Sequence, residues 1–198
     1  MNCIVIAARE EAEPFIRAFE LAPDKQAEFK IFAGNNIALS VSGIGKVNAA
    51  AACAYLILRY QPERIFNFGT AGALNSKLKL WDIRQISAAF EWDKAGGRHI
   101  KFACFENIAN GVGNASLATG DMPVVAAAER EKLSILADLA DMEGAAIAKI
   151  CSKFGCPCHG IKIVSDTSDT QTNDIMGNIR HAAQMLSEFV VANSLLNA

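Results

Sequence analysis

The run Asn2 to Ala8 constrains this chain more than any other feature. Apart from Asn2 it is apolar throughout, with no alternation of apolar and polar residues. A strand with one wet face alternates, whereas a strand buried on both faces does not. Such a strand needs helices above and below it, and the sequence supplies them. Glu10 to Glu20 carries helical apolar spacing at Phe15, Ile16 and Phe19, with Pro14 near its start, where proline is tolerated. Lys46 to Tyr60 and Met142 to Phe154 are alanine-rich helices. Asn173 to Leu196 is a closing helix with apolar residues at Ile175, Ile179, Ala182, Met185, Leu186 and Phe189.

Between the helices lie further strands. Arg64 to Phe68 and Gly160 to Val164 are short and apolar. Lys30 to Ala33 and Ile37 to Val41 flank Gly34-Asn35-Asn36, a hairpin signal. Ile83 to Phe90 and His99 to Phe105 form a second such pair, joined through Lys94 to Arg98. Ala115 to Thr119 is one more strand, and Val124 to Leu136 is helical. Alternating strands and helices with some antiparallel pairs predict an α/β fold: a three-layer α/β/α sandwich around a central mixed twisted sheet. The sequence shows no linker, repeat or low-complexity tract, so residues 1–198 read as one domain.

Bulk properties exclude several classes. Hydrophobic residues make up 52% of 198, enough for a substantial core. A net charge of −2 leaves no broad basic footprint for nucleic acid. No apolar run approaches the roughly 18 residues of a membrane span. Met1 to Val5 lacks the basic region of a signal peptide, which predicts a cytoplasmic protein. The six cysteines are scattered through apolar runs, as buried thiols in a reducing compartment are. Cys156-Pro157-Cys158-His159 is an isolated cluster with no second pair to complete a metal site, and reads as packing ahead of a strand. No metal or organic cofactor is expected.

Chemistry concentrates where strands run out. Open α/β sheets bind ligands at the carboxyl ends of their strands. Asp141-Met142-Glu143-Gly144-Ala145-Ala146 brings a carboxylate to the start of a helix. Ser165-Asp166 brings another to the end of Gly160–Val164. Each has a structural alternative. Glu143 is also a first-turn acid that a helix dipole favours, with Met142 as plain core. Ser165 and Asp166 are also helix-capping types. The loop Ala7-Ala8-Arg9-Glu10-Glu11-Ala12-Glu13 holds three more acids, which equally suit a solvated helix start. Gly43-Ile44-Gly45 leads into a helix whose N–H groups suit an anion, although the spacing is not that of a Walker A loop; a close-packed turn is the simpler reading. Thr70, Ala71 and Gly72 read as a tight loop at a strand end.

The Asp-Met-Glu-Gly-Ala-Ala segment followed by Val164-Ser165-Asp166 resembles the nucleoside phosphorylase and nucleosidase superfamily. It is most similar there to the 5'-methylthioadenosine/S-adenosylhomocysteine nucleosidases. Ser42-Gly43-Ile44-Gly45-Lys46-Val47 and Phe68-Gly69-Thr70-Ala71-Gly72 resemble two further segments of that family, in the family's order. The resemblance implies purine nucleoside N-glycosidic cleavage, as in purine salvage. It gives Asp166 the role of acid at N7 of the leaving base and Glu143 that of ribose-hydroxyl acceptor. A glutamate after the first strand activates water; Glu11 is chosen, with Glu10 and Glu13 as alternatives. Met142, Thr70, Ala71, Gly72, Ser165, Met122, Arg9 and Lys162 would contact substrate.

The chain also departs from the family. Arg9 stands where Met is usual and would attract an anion, which keeps phosphate open as nucleophile. Lys162 stands where Arg is frequent. Met122 follows Gly120-Asp121 where an aromatic residue often stacks on the base, and the stretch from there to Met142 is short. Futalosine hydrolase, a phosphorylase and a catalytically weak nucleoside-binding relative are the alternatives. The resemblance also implies a homodimer or larger homo-oligomer, and Phe90, Trp92, Phe102 and Phe105 are candidates for an apolar wall or equally for the core.

Overall fold

A computed structural model describes residues 1–94, 108–167 and 175–196. Strand β1 (Asn2–Ile6) lies between two parallel partners, β4 (Ile37–Val41) and β5 (Arg64–Ala73). Successive side chains of a strand point to opposite faces, so the unbroken apolar run of β1 feeds two cores at once. Cys3 and Val5 pack with Ala49, Cys53 and Leu56 of α2 (Lys46–Tyr60) and with Ala145, Ala148 and Cys151 of α4 (Gly144–Phe154). Ile4 and Ile6 pack on the other face with Ala12 and Phe15 of α1 (Arg9–Ala18) and with Ala182, Leu186 and Val190 of α5 (Ile175–Ala192). These are the three layers the sequence predicts.

A two-residue strand β2 (Ala22–Pro23) starts the nine-stranded sheet, followed in space by β3 (Ile31–Gly34), β4, β1 and β5. The hairpin between β3 and β4 turns at Asn35 and Asn36, both at positive φ (50° and 62°). A type I′ turn requires that conformation at both central residues, and asparagine tolerates it. Beyond β5 lie β8 (Leu139–Asp141), β7 (Asn114–Thr119), β6 (Ile83–Glu91) and β9 (Cys158–Asp166). β9 also pairs with β5 in parallel, so these five strands close on themselves. Antiparallel pairs β3–β4, β5–β8 and β6–β9 make the sheet mixed. Helix α3 (Ala127–Ser134) covers β6, β7 and β8 through Leu133, which packs with Phe90, Val124 and Ala140.

One sequence expectation needs correction. Gly69 to Gly72 is part of β5 and not a loop, because pairing with β9 continues through Gly72 and with β8 through Ala73. For Phe90 the core alternative holds: it is 1% exposed and packs under α3. The strand expected at His99–Phe105, and Phe102 and Phe105 with it, lie outside the described residues. Among the described residues no helix is long and apolar enough to cross a membrane.

Candidate active site

The carboxyl ends of β1, β5, β8 and β9 converge on a cavity of about 210 Å3. Glu11 reaches it from the first turn of α1. Ala8, the residue capping that helix, has no side-chain oxygen to offer, and Glu11 Oε2 instead accepts from the Ala8 backbone N–H at 3.2 Å. Its other oxygen, Oε1, accepts from the Thr70 N–H at 2.7 Å and from Thr70 Oγ1 at 2.8 Å. Gly69 makes room for this arrangement, since a Cβ there would sit 3.2 Å from Glu11 Oε1. Of the three acids in the loop, Glu11 alone lines the cavity. Glu13 forms an outward ion pair with Arg9 at 3.4 Å.

Glu143 is the N-cap residue of α4, yet its side chain makes no cap hydrogen bond. Asp141 does: Oδ2 accepts from the Gly144 N–H at 2.8 Å. Thr119 completes the cap, donating to Asp141 Oδ1 at 2.6 Å and accepting from the Ala145 N–H at 2.9 Å. Glu143 is thereby free to face the cavity, where its Oε1 accepts from the Gly45 N–H at 2.8 Å. Burial, reinforced by the negative charge of Asp141, pushes its carboxyl up to about 7, against the opposing pull of Lys162 and Gly45. Gly144 is required by space: a Cβ there would meet Leu117 at 2.4 Å and Asp141 at 2.9 Å.

Lys162 lies beneath the floor, 2% exposed, with its Nζ 2.9 Å from Asp141 Oδ2. Burial would lower its pKa, but Asp141, Glu143 and Glu11 together hold it above the ordinary lysine value. Its charge balances buried acids, and Asp141 takes up its ammonium group.

Asp166 ends β9 opposite Gly72, whose missing side chain lets the carboxylate in; a Cβ there would lie 2.8 Å from Oδ1. Ser165 Oγ donates to Asp166 Oδ2 at 3.3 Å. On the other oxygen the structure adds a residue that sequence reasoning missed. Arg130, from α3, places a terminal nitrogen 2.6 Å from Asp166 Oδ1. The one signal for it was its spacing of three from Leu133, which puts both on the buried face of α3.

The structure therefore gathers Glu11, Glu143, Asp166, Met142, Thr70, Ala71, Gly72, Ser165 and Lys162 around one cavity. Two expected contacts fall outside it. Arg9 is turned to Glu13 at the surface because α1 presents that side to solvent. Met122 is 67% exposed, and its successors Pro123, Val124 and Val125 line the wall in its place. Gly43–Gly45 serves as more than a packed turn, since Gly45 holds Glu143.

Comparison with known proteins agrees with this geometry. The family model of the phosphorylase superfamily matches residues 3–103 and 106–193. A 5'-methylthioadenosine/S-adenosylhomocysteine nucleosidase of Buchnera aphidicola is 31% identical over 94% of each chain. The nucleosidase of the same name from Bacillus cytotoxicus is 31% identical over 87% of this chain and 89% of its own. Among solved structures, a futalosine hydrolase mutant of Helicobacter pylori superposes with a TM-score of 0.87 at 24% identity, covering 98% of this chain and 97% of that one. The methylthioadenosine/S-adenosylhomocysteine nucleosidase of the same organism, in complex with an inhibitor, gives 0.87 at 23% with the same coverage. At those identities the two structures speak for the fold alone. Fold, pocket and relatives define an N-glycosyl hydrolase. The chain belongs to the phosphorylase superfamily, and its curated relatives are nucleosidases of that superfamily.

Proposed function

We propose that the protein hydrolyses the N-glycosidic bond of purine nucleosides, as the methylthioadenosine/S-adenosylhomocysteine nucleosidases do. Glu143, once ionised, accepts hydrogen bonds from the two ribose hydroxyls. Its attraction for the sugar grows as positive charge develops there, so it binds the transition state better than the ground state. Asp166 donates a proton to N7 as the C–N bond breaks and its electron pair passes to the base. Glu11, oriented by Thr70, takes a proton from water as the water oxygen bonds to the anomeric carbon. Met142 packs beside the sugar.

The observation that carries hydrolysis rather than phosphorolysis is the charge of the pocket. Glu11 and Glu143 face it, while the two cations that line it are taken up, Lys162 by Asp141 and Arg130 by Asp166. Arg9 pairs with Glu13 outside. A phosphate at the sugar would enter beside Glu11 and, once ionised, Glu143, with Lys162 bonded to Asp141 and Arg130 held at Asp166, and like charges repel at that range. Base release from methylthioadenosine, S-adenosylhomocysteine, adenosine, inosine and futalosine, each with and without phosphate, tests the proposal. The expected products are free base and free sugar, with no effect of phosphate. Release only with phosphate overturns it, and binding without release favours a catalytically weak relative.

The same reading implies a homo-oligomer in the cytoplasm. Ile44 and Val125 line the cavity yet are 59% and 64% exposed, and Val47 beside them is 78% exposed. A second copy covering these side chains would close the mouth, and sedimentation in solution would reveal it.

A further inference from the structure

The base-side wall of the pocket contains a cation for which the reaction above has no use. Arg130 is the buried charged residue of α3; of its neighbours, Glu129 is half-buried and Glu131 exposed. Its guanidinium is held at two points. Nη1 donates to the Ala73 carbonyl oxygen at 2.6 Å, and Nη2 donates to Asp166 Oδ1 at 2.6 Å. A guanidinium has five N–H donors in a rigid fork and no acceptor. Arg130 therefore borders the cavity with donors to spare.

We propose that Arg130 reads the substituent at C6 of the purine and selects a 6-oxo base over a 6-amino base. The inference rests on the purine nucleoside reading and names its substrate class. N7 and the C6 substituent lie side by side on one edge of the ring. A group bonded to the carboxylate that serves N7 thus stands next to the C6 substituent. Where a carboxylic acid works alone, one oxygen donates to N7 and the other accepts from a 6-amino group. Here the Oδ1 of Asp166 already accepts from Arg130, and Ser165 Oγ is directed at Oδ2. What Arg130 has left for C6 is the N–H donors not spent on Ala73 and Asp166. A 6-oxo oxygen accepts from them, whereas a 6-amino group is itself a donor and leaves them unmatched. The same logic makes arginine the usual partner of the O6 and N7 pair of a purine, and the amide side chains the partners of N6 and N7. Charge acts in the same direction. As the C–N bond breaks, the electron pair entering a 6-oxopurine spreads onto O6, and a fixed cation there stabilises it.

Matched pairs isolate the base: inosine against adenosine, and 5'-methylthioinosine against 5'-methylthioadenosine. The expected result is a kcat/KM at least about tenfold higher for the 6-oxo member of each pair, because sites built on hydrogen bonds discriminate strongly. Arg130→Met should cut 6-oxo turnover and bring the ratio towards one, with circular dichroism confirming the fold. Release of both bases with no 6-oxo preference overturns the inference but leaves the hydrolase reading intact. So does a preference that Arg130→Met does not change. If no nucleoside is cleaved, calorimetry with free hypoxanthine and adenine decides. Tighter hypoxanthine binding that is lost in Arg130→Met keeps the base-reading role while the hydrolase reading fails. Equal or absent binding overturns both.

Discussion

The two ends of the pocket are built differently. At the end proposed to hold the sugar, Glu11 and Glu143 are each held by backbone N–H groups, from Thr70 and Ala8 in one case and Gly45 in the other, with the Thr70 hydroxyl adding one side-chain bond to Glu11. At the end proposed to hold the base, Asp166 is held by the side chains of Arg130, from α3, and Ser165. Backbone donors come with the fold and survive substitution of the residues that carry them. A side-chain partner can be exchanged by one mutation. On the proposed reading, the sugar end is tied to the fold, and the base end is where a substitution can change the site.

Glu11→Gln and Asp166→Asn test the contrast most severely. Each should reduce kcat about 10²- to 10⁴-fold, the usual worth of a general acid or base. The loss from Glu11→Gln should be the same for every base, because its partner is water. The loss from Asp166→Asn should vary with the base. Steady-state kinetics on the matched nucleoside pairs would show this, and equal base dependence for both variants would erase the distinction drawn here.

The pH profile comes next. In the proposed reaction Glu143 accepts from ribose only when ionised, and its carboxyl is pushed up to about 7. The kcat/KM should therefore fall about tenfold per pH unit below 7. Stability runs the other way. The protonated carboxyl is the form the fold favours, so this contribution is complete below the ordinary glutamate value of 4.5 and is lost as pH rises to about 7. Thermal melts of the wild type and of Glu143→Gln between those values should diverge with rising pH, the glutamine variant lacking this decline. Parallel curves would show that Glu143 is not held in that way.

A smaller effect is expected from Gly144→Ala. Its Cβ would strike Leu117 and Asp141, where the cap that frees Glu143 is built. Overpacking of this kind costs about 1–3 kcal/mol, seen as a lowered Tm. The smallest change should come from Arg9→Ala. Its exposed pair with Glu13 lies outside the cavity, and such pairs are worth at most about 1 kcal/mol. Turnover should stay within about twofold, and a large loss would mean that an anion does use this side of the pocket.

Much of the fold was legible because its signals are local. The apolar run of β1, the alanines of α2 and α4, and the Asn35–Asn36 turn depend on neighbours in sequence, and their elements lie within a residue or two of the expected bounds. Glycine signals misled at Gly69–Gly72, where pairing with both β8 and β9 holds the segment as strand. The three-residue strand β8 is too short to carry a period and exists through its partners β5 and β7.

The site divides in the same way. Residues 141–146 and 165–166 of the sequence alone pointed to acids at strand ends, because a carboxylate placed just after an apolar strand is visible in one dimension. Tertiary structure decided which acid does what. Asp141 caps α4 while Glu143 turns to Gly45, from a loop nearly a hundred residues earlier. Glu11 rather than Glu10 or Glu13 meets Thr70, because only its position on α1 faces β5. Arg130 reaches Asp166 across the sheet with no motif to announce it. Sequence patterns record periodicity and chain breaks, which are short-range properties. The partners of a buried charge are set by long-range packing, and those partners fix its role.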